Sequence, residues 1–422
     1  MKISKILFLF YIILLPVMKV PELPFIGSKI QYCDVLFVVF LLFFIYEHIK
    51  AKDKMSVPFL LPAAFLLFSF FISLVFNGFD SREIIEYAAT VYLVALYFSA
   101  VLLIKEDEYL CRCIRVWVLV SSVVCVIGIL GYIAGLFSGS LNILTPQIQS
   151  VDKISSIPHQ AQFYLRASST LKNPNMFAAY FITSITFIFM IIKSRMARAK
   201  DYGFYIFVLS LHLFTALLTK SRILGPVFLL AASSLFILYP GKKYILLKIP
   251  ALFLACIFLV LSFMTLAVWV FPVEFKPFKI NTQKSEYLIL SEAALKMWKD
   301  HPVVGVGLGR YNYNLVNYVD WDKAKKVLPD PDNIEWKTKD PHSTYLGWAS
   351  ETGILGLFAT LLFLWLNIKN AFFKRDARII ALGVIAFLIA GFSVDILTMR
   401  HFWFLLGIGA VIFFNRSRCG RL

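Results

Sequence analysis

The feature that most constrains this chain is its series of long apolar runs separated by short polar segments. Hydrophobic residues make up 59% of the 422 residues and charged residues only 16%, which indicates a chain embedded in lipid. Runs of this length cross about 30 Å of hydrocarbon as helices, whose backbone hydrogen bonds are satisfied internally. We count about twelve spans, covering residues 5–20, 32–48, 57–77, 84–104, 114–136, 174–192, 203–219, 223–240, 248–271, 343–366, 379–396 and 401–415. The sequence therefore predicts an all-α polytopic membrane protein.

The positive charge of the chain predicts its orientation. The net charge is +17, and the basic residues form short clusters between alternate spans, beginning with Lys2 and Lys5 and ending with Arg416, Arg418 and Arg421. Short loops rich in Lys and Arg stay in the cytoplasm, so both termini are expected there, in a bacterial inner membrane. This distribution favours a topological role over nucleic-acid binding. The first twenty residues resemble a signal peptide, but no small-x-small cleavage site precedes Lys19, and an uncleaved span is expected.

Two long segments are predicted on the periplasmic side, residues 137–173 and 272–342. The second is interpreted as a periplasmic catalytic loop domain between spans nine and ten. It separates residues 1–271, with spans one to nine, from residues 343–422, with spans ten to twelve and a cytoplasmic tail. A helical apolar period from Glu286 to Trp298 is too polar to span, and predicts an amphipathic helix on the bilayer or against the bundle.

Basic residues on the outer side oppose the positive-inside bias, so they are candidate ligand-binding groups. These residues are Arg166, Lys172, Lys220, Arg222, Lys284, Arg310 and Arg400. Guanidinium groups match phosphate oxygens bidentately, so a pyrophosphate headgroup is the predicted ligand. Snorkelling to lipid phosphate is the alternative for Arg166 and Arg222. The glycine-rich turn before Arg310 is interpreted as bringing backbone amides to the same anion.

A histidine, His342, stands where the second outer segment meets the tenth span. A neutral imidazole can accept a proton from an attacking hydroxyl, so His342 is a candidate general base, oriented by Asp340. The alternative is a histidine that only caps the helix or marks the interface. The acidic residues of the same segment lack the spacing of an EF-hand, and no metal site is predicted.

Several motifs resemble those of one known family. They are Arg166 with Asn173-Pro174-Asn175, Ser221-Arg222, Ala294-Leu295, the run from Asp300 to Gly307, and His342 followed by Tyr345-Leu346, Glu351 and Gly353-Ile354-Leu355-Gly356-Leu357. Their order and spacing are similar to those of the O-antigen ligase/polymerase superfamily. The resemblance covers the middle and C-terminal half of the chain, whereas the first five spans match only in topology.

The resemblance implies a glycosyltransferase of lipopolysaccharide biosynthesis. Its reaction is metal-independent, needs no cofactor and inverts the anomeric centre. The implied donor is a glycan on undecaprenyl pyrophosphate, and the acceptor is a sugar hydroxyl of lipid A-core or, in polymerases, the next lipid-linked repeat unit. His342 matches the histidine proposed as the base, and Arg222 an arginine at the donor pyrophosphate. Lys284 stands where the family usually has a second arginine.

Two other functions remain open from the sequence. Two outer segments that each carry arginine suit a polymerase, whereas the large second segment ending in His342 suits a ligase. A transporter of lipid-linked glycan predicts internal repeats and charged, interrupted spans near the midplane, which the sequence does not clearly show.

Overall fold

The computed structural model describes residues 2–18, 30–51, 58–138, 151–155, 163–193, 201–239, 241, 244–270, 286–327, 331–373 and 377–415. Lys284 and parts of both predicted outer segments lie outside these residues.

The described chain is mainly helical. Its helices are α1 (Lys2–Leu14), α2 (Tyr32–Ala51), α3 (Leu60–Asn77), α4 (Ser81–Leu103), α5 (Asp107–Ser138), α6 (Pro174–Lys193), α7 (Tyr202–Leu218), α8 (Leu224–Leu238), α9 (Ile245–Val270), α10 (Glu286–Asp300), α11 (Tyr311–Tyr318), α12 (Trp321–Val327), α13 (Thr344–Phe373), α14 (Arg378–Ala390) and α15 (Arg400–Asn415). Each predicted span coincides with one of α1–α9 or α13–α15. Six of the described helices, α2 to α6 and α13, are long and apolar enough to cross a membrane, and shorter apolar helices accompany them. The helical, multi-span character is confirmed, while the number of twelve spans stays a prediction.

Contacts at the two ends of the bundle are consistent with successive helices that run in opposite directions. Lys5, at the start of α1, forms an ion pair of 2.9 Å with Glu106, just after α4. At the opposite end, the backbone amide of Met18 donates to the carbonyl of Thr170, which joins the segment after α1 to the turn before α6. We call this second end the site end, because His342 and the turns before α6 and α8 lie there.

Helix α6 occupies the centre of the bundle. It contacts α5, α7, α8, α14 and α15, and every residue from Phe177 to Ile191 is buried. Its sequence is apolar on all sides, as expected for a helix with no lipid-facing side. The packing of α6 therefore fixes the position of its first residues, which contact the turns at the site end.

One small sheet interrupts the helical pattern. Strands β1 (Val151–Ser155) and β2 (Phe163–Ala167) pair antiparallel, with Val151 opposite Ala167 and Ser155 opposite Phe163. The all-α prediction omitted this hairpin, because five-residue strands give a weak periodic signal. Strand β2 contacts α5, α6 and α7, and it places Arg166 beside the start of α6.

A second apolar core lies outside the bundle, within the predicted loop domain. Helices α10, α11 and α12 bury Leu290, Ala294, Tyr311, Leu315 and Ala324 together. Helix α10 also packs on α13. The amphipathic helix was predicted to lie either on the bilayer or against the bundle, and in the structure it packs against the bundle.

The glycine-rich turn joins this second core to a break in α13. Gly353 has a φ of 63° inside α13, and the amide of Ile354 donates to the carbonyl of Pro302 at 2.8 Å. In return, the amides of Val306 and Gly307 donate to carbonyls of α13, those of Ser350 and Glu351. The turn thus satisfies backbone groups that the break exposes, and these two amides bind the helix rather than an anion.

Replacing Gly353 by Ala is expected to destabilise the protein. A Cβ atom there would lie 2.2 Å from the carbonyl oxygen of Val303, and the positive φ adds strain; together these effects cost at least about 2 kcal/mol. Thermal unfolding of the detergent-solubilised protein measures the loss. Gly203→Ala is the control, since no atom lies within 4 Å of its Cβ position, and equal melting temperatures for the two variants would contradict this role.

Candidate active site

Arg166 anchors one side of the site end. Its Nε donates to the carbonyl of Thr219 at 2.8 Å, and its Nη2 donates to Oδ1 of Asn175, also at 2.8 Å. The hydroxyl of Ser221 donates to the same amide oxygen at 2.9 Å. Arg166 and Asn175 therefore hold the turn before α8 against the start of α6.

Arg222 follows directly in this turn and is half-buried. Its guanidinium carbon lies 4.7 Å from the centre of the Tyr287 ring, within the range of a cation–π contact. Burial lowers the pKa of Arg222 to about 10, and the charge of Arg166 acts in the same direction while Tyr287 opposes it. Arg222 remains charged at neutral pH, and this poorly hydrated positive charge favours binding of an anion.

His342 is held in an unusual backbone conformation, with a φ of 47°. One oxygen of Asp340, Oδ1, accepts two hydrogen bonds, from the backbone amide of His342 at 2.8 Å and from its Nδ1 at 2.9 Å. The strain of a left-handed non-glycine residue is thus offset locally. Residues in such conformations cluster at functional sites.

The Asp340 contact also decides which ring nitrogen of His342 can act as a base. Because Nδ1 donates to the carboxylate, the neutral imidazole carries its lone pair on Nε2. Partial desolvation would raise the pKa of Asp340, but the hydrogen bonds from His342 hold this pKa below its usual range. Asp340 is therefore ionised at neutral pH, and the His342 side chain, 33% exposed, is accessible to a substrate.

Tyr287 connects the two halves of this arrangement. Its ring centre lies 4.5 Å from that of His342, with the ring planes at 44°, and the same ring contacts Arg222. We call Arg166, Arg222, Tyr287, Asp340 and His342 the candidate active site. It combines fixed positive charge with an oriented imidazole, a combination suited to displacing a phosphate leaving group by a hydroxyl.

Arg310 lies elsewhere, at the turn between α3 and α4. Its Nε is 2.8 Å from a carboxylate oxygen of Glu83, and its Nη1 donates to the carbonyl of Asn77 at 2.9 Å. The Glu83 carboxylate lies against the guanidinium charge, and the two contacts join the glycine-rich turn to the bundle. We therefore leave Arg310 out of the candidate active site.

Arg400 also has a carboxylate partner. Its Nε and Nη2 donate to the two carboxylate oxygens of Asp34 at 2.7 and 2.6 Å, and both side chains are largely buried. This bidentate pair joins the start of α15 to the start of α2.

The predicted lysines lie at the edge of the site end. Lys172 and Lys220 are exposed, in the turns that also position Arg166 and Arg222. The Nζ of Lys220 lies 5.8 Å from the centre of the Tyr132 ring. Their role in pyrophosphate binding stays a prediction, and Lys284 lies outside the described residues.

Sequence reasoning did not assign a role to Tyr287 or Asn175. Asn175 belongs to the Asn173-Pro174-Asn175 motif, whose position before a span was visible but whose amide contacts depend on tertiary structure. Tyr287 is in the first turn of the predicted amphipathic helix, and an aromatic residue there is also typical of a membrane interface.

Comparison with known proteins finds one family model that matches part of the chain. Residues 205–361 match the family model described as O-antigen ligase. No curated protein sequence matches the chain. This match confirms the predicted resemblance to the O-antigen ligase superfamily, in a helical protein with several helices able to span a membrane. Such domains are typical of glycosyltransferase-like ligases and polymerases, and the matched residues include Arg222, Tyr287, Asp340 and His342.

Removing the carboxylate of Asp34 is expected to destabilise the fold, because Arg400 would be left as a largely buried charge without that partner. The expected loss for Asp34→Asn is about 3–5 kcal/mol, measured as thermal or denaturant unfolding in detergent. The double variant Asp34→Asn with Arg400→Met leaves no unpaired charge and should recover part of the loss. Additive losses in the double variant would contradict a structural pair.

Proposed function

We propose that this protein is an O-antigen ligase-type glycosyltransferase. It transfers a glycan from undecaprenyl pyrophosphate to a sugar hydroxyl of lipid A-core, without a metal ion and with inversion of the anomeric centre. The observation that carries the proposal is the Asp340–His342 pair, held beside the Arg222 guanidinium by contact with the Tyr287 ring.

In this proposal, Arg222 and Arg166 bind the donor pyrophosphate. The bond between the anomeric carbon and the pyrophosphate oxygen breaks, and the leaving oxygen takes the electron pair. Negative charge therefore grows where the two guanidinium groups lie. Positive groups that are already in place stabilise that charge without reorganisation, and a guanidinium forms two parallel hydrogen bonds to phosphate oxygens.

His342 acts as the general base on the acceptor. The acceptor hydroxyl attacks the anomeric carbon on the face opposite to the pyrophosphate, and its proton passes to Nε2 of His342. Asp340 keeps Nδ1 protonated and stabilises the imidazolium that forms. A single displacement of this kind inverts the anomeric configuration.

The membrane supplies part of the substrate positioning. Both proposed substrates are lipid-anchored in the inner membrane, so their headgroups reach the site end at a similar depth. We place this end on the periplasmic side, because the basic clusters belong to the opposite end. Residues 137–173 and 272–342 then supply Arg166, Tyr287, Asp340 and His342 from the same side of the membrane.

A polymerase that joins lipid-linked repeat units is the second candidate. The observation that favours it is that Arg166, from the first outer segment, donates at 2.8 Å to the carbonyl of Thr219, in the turn that carries Arg222. Two long outer segments that contribute to one site suit two bulky lipid-linked glycans. The chemistry at His342 and Arg222 would be the same, and only the acceptor differs.

Replacing His342 by Ala is expected to lower the rate of glycan transfer about 10²–10⁴-fold, which is the usual contribution of a general base. The measurement is transfer by purified protein in detergent, with undecaprenyl-pyrophosphate glycan, lipid A-core and EDTA. His301→Ala, at an exposed histidine, is the matched control and should behave like wild type. Longer lipid-linked chains in place of core-linked product would identify a polymerase, and full activity of His342→Ala would exclude His342 as the base.

Replacing Arg222 by Ala is expected to weaken donor binding and to slow transfer. The charge it supplies grows in importance as the leaving group departs, so kcat should fall by about 10²-fold in addition to the rise in KM. Steady-state kinetics at varied donor concentration measure both values. Lys299→Ala removes an exposed cation of α10 as a control, and an equal effect of the two variants would contradict a specific role for Arg222.

A further inference from the structure

One aromatic side chain contacts both reactive groups of the candidate active site. The Tyr287 ring lies 4.7 Å from the guanidinium carbon of Arg222 and 4.5 Å, centre to centre, from the ring of His342. Arg222 belongs to the turn before α8, whereas His342 precedes α13. These two groups come from separate parts of the fold, and the ring bridges them.

The backbone that carries Tyr287 is itself firmly held. Leu290, one helical turn further along α10, is fully buried in the second apolar core, and its carbonyl accepts a hydrogen bond of 2.6 Å from the hydroxyl of Tyr311. Side chains three residues apart lie on the same side of a helix. The packing of Leu290 therefore restricts where the Tyr287 ring can lie.

Each contact of the ring limits a different motion. The hydrogen bond to Asp340 fixes Nδ1 of His342 but leaves the imidazole plane able to tilt about that bond. Contact with a second ring restricts this tilt and so directs Nε2. On the other side, the π face attracts the guanidinium of Arg222, which restricts a long and otherwise flexible side chain.

We propose that Tyr287 is a positioning residue that fixes Arg222 and His342 relative to each other, so that the leaving pyrophosphate and the proton acceptor lie on opposite sides of the anomeric carbon. This role rests on the proposed transferase function. The ring makes the contact with His342, whereas Arg222 meets both the ring and, through a hydrogen bond, the hydroxyl of Tyr287.

Kinetics of transfer test the role of Tyr287. Tyr287→Leu should lower kcat by about 10²-fold, the effect of a small misplacement of reacting groups, with an unchanged melting temperature. Tyr287→Phe keeps both ring contacts and loses only the hydrogen bond to Arg222, so it should restore part of the activity that the leucine variant loses. Tyr313→Leu is the matched control, because Tyr313 makes a similar contact with Arg82, also at 4.7 Å, away from the site.

A double-mutant cycle tests whether Tyr287 acts through Arg222. The variant Tyr287→Leu with Arg222→Ala should lose less activity than the product of the two single losses. The part of the Tyr287 effect that acts through Arg222 is already lost in Arg222→Ala, whereas the part that acts through His342 remains. Additive losses would overturn the proposal. So would a phenylalanine variant as slow as the leucine variant, or an equal loss in Tyr313→Leu.

Binding of a short polyprenyl pyrophosphate to the solubilised protein separates this proposal from the proposed function. Tyr287→Leu and Arg222→Ala should weaken binding non-additively, whereas Tyr313→Leu should not. If the wild type transfers no glycan but shows this coupling, the transferase function fails and the contact of Tyr287 with Arg222 stands. If the wild type transfers glycan and Tyr287→Leu alters neither rate nor binding, the role of Tyr287 fails alone.

Discussion

The backbone hydrogen bonds between the glycine-rich turn and the break in α13 hold the second apolar core on the bundle. In a membrane protein, a broken helix needs partners for the backbone groups that it exposes, and the carbonyls of Pro302 and Val303 accept from the amides that follow Gly353. The hydroxyl of Ser73 on α3 donates to the carbonyls of Val304 and Glu351 at the same place. Helix α10 with Tyr287, and the start of α13 with His342, are both positioned by this joint.

The arginines at the site end fall into two physical classes. Arg310 and Arg400 are matched by carboxylates, Glu83 and Asp34, and they join elements of the fold that are distant in sequence. Arg166 is oriented by neutral oxygen atoms, and Arg222 stacks on an aromatic ring. Counting outer cations in the sequence cannot separate these classes, because the acidic partners are remote along the chain.

Much of the fold could be predicted, because apolar length and charge asymmetry are local properties of a sequence. Each predicted span coincides with a helix, and α10 (Glu286–Asp300) covers the apolar period from Glu286 to Trp298. The hairpin of β1 and β2 was missed, since short strands in a polar segment have little periodicity. The anion-binding interpretation of the glycine-rich turn was replaced by a packing role, because only the tertiary structure shows how closely Gly305 and Gly307 approach α13 and α4.

The sequence allowed the chemical groups of the candidate site to be predicted, but not the contacts between them. His342 and Arg222 were selected because of their residue types and their positions at the ends of spans. Tyr287 was not, since nothing in the sequence indicates that α10 brings its first turn between the segments that carry the other two. The contact of Asp340 with His342 was considered from sequence, and the left-handed conformation of His342 is what makes it possible across Pro341.

The most direct test of the proposed mechanism is the anomeric configuration of the bond that the purified protein forms. A donor of defined configuration on undecaprenyl pyrophosphate would be transferred to lipid A-core, and the new linkage would be assigned by nuclear magnetic resonance. A base at His342 and a leaving group at Arg222 act in a single displacement, so we expect the opposite configuration in the product. Retention of configuration, or no glycosidic bond from a folded preparation with cognate substrates, would contradict the mechanism.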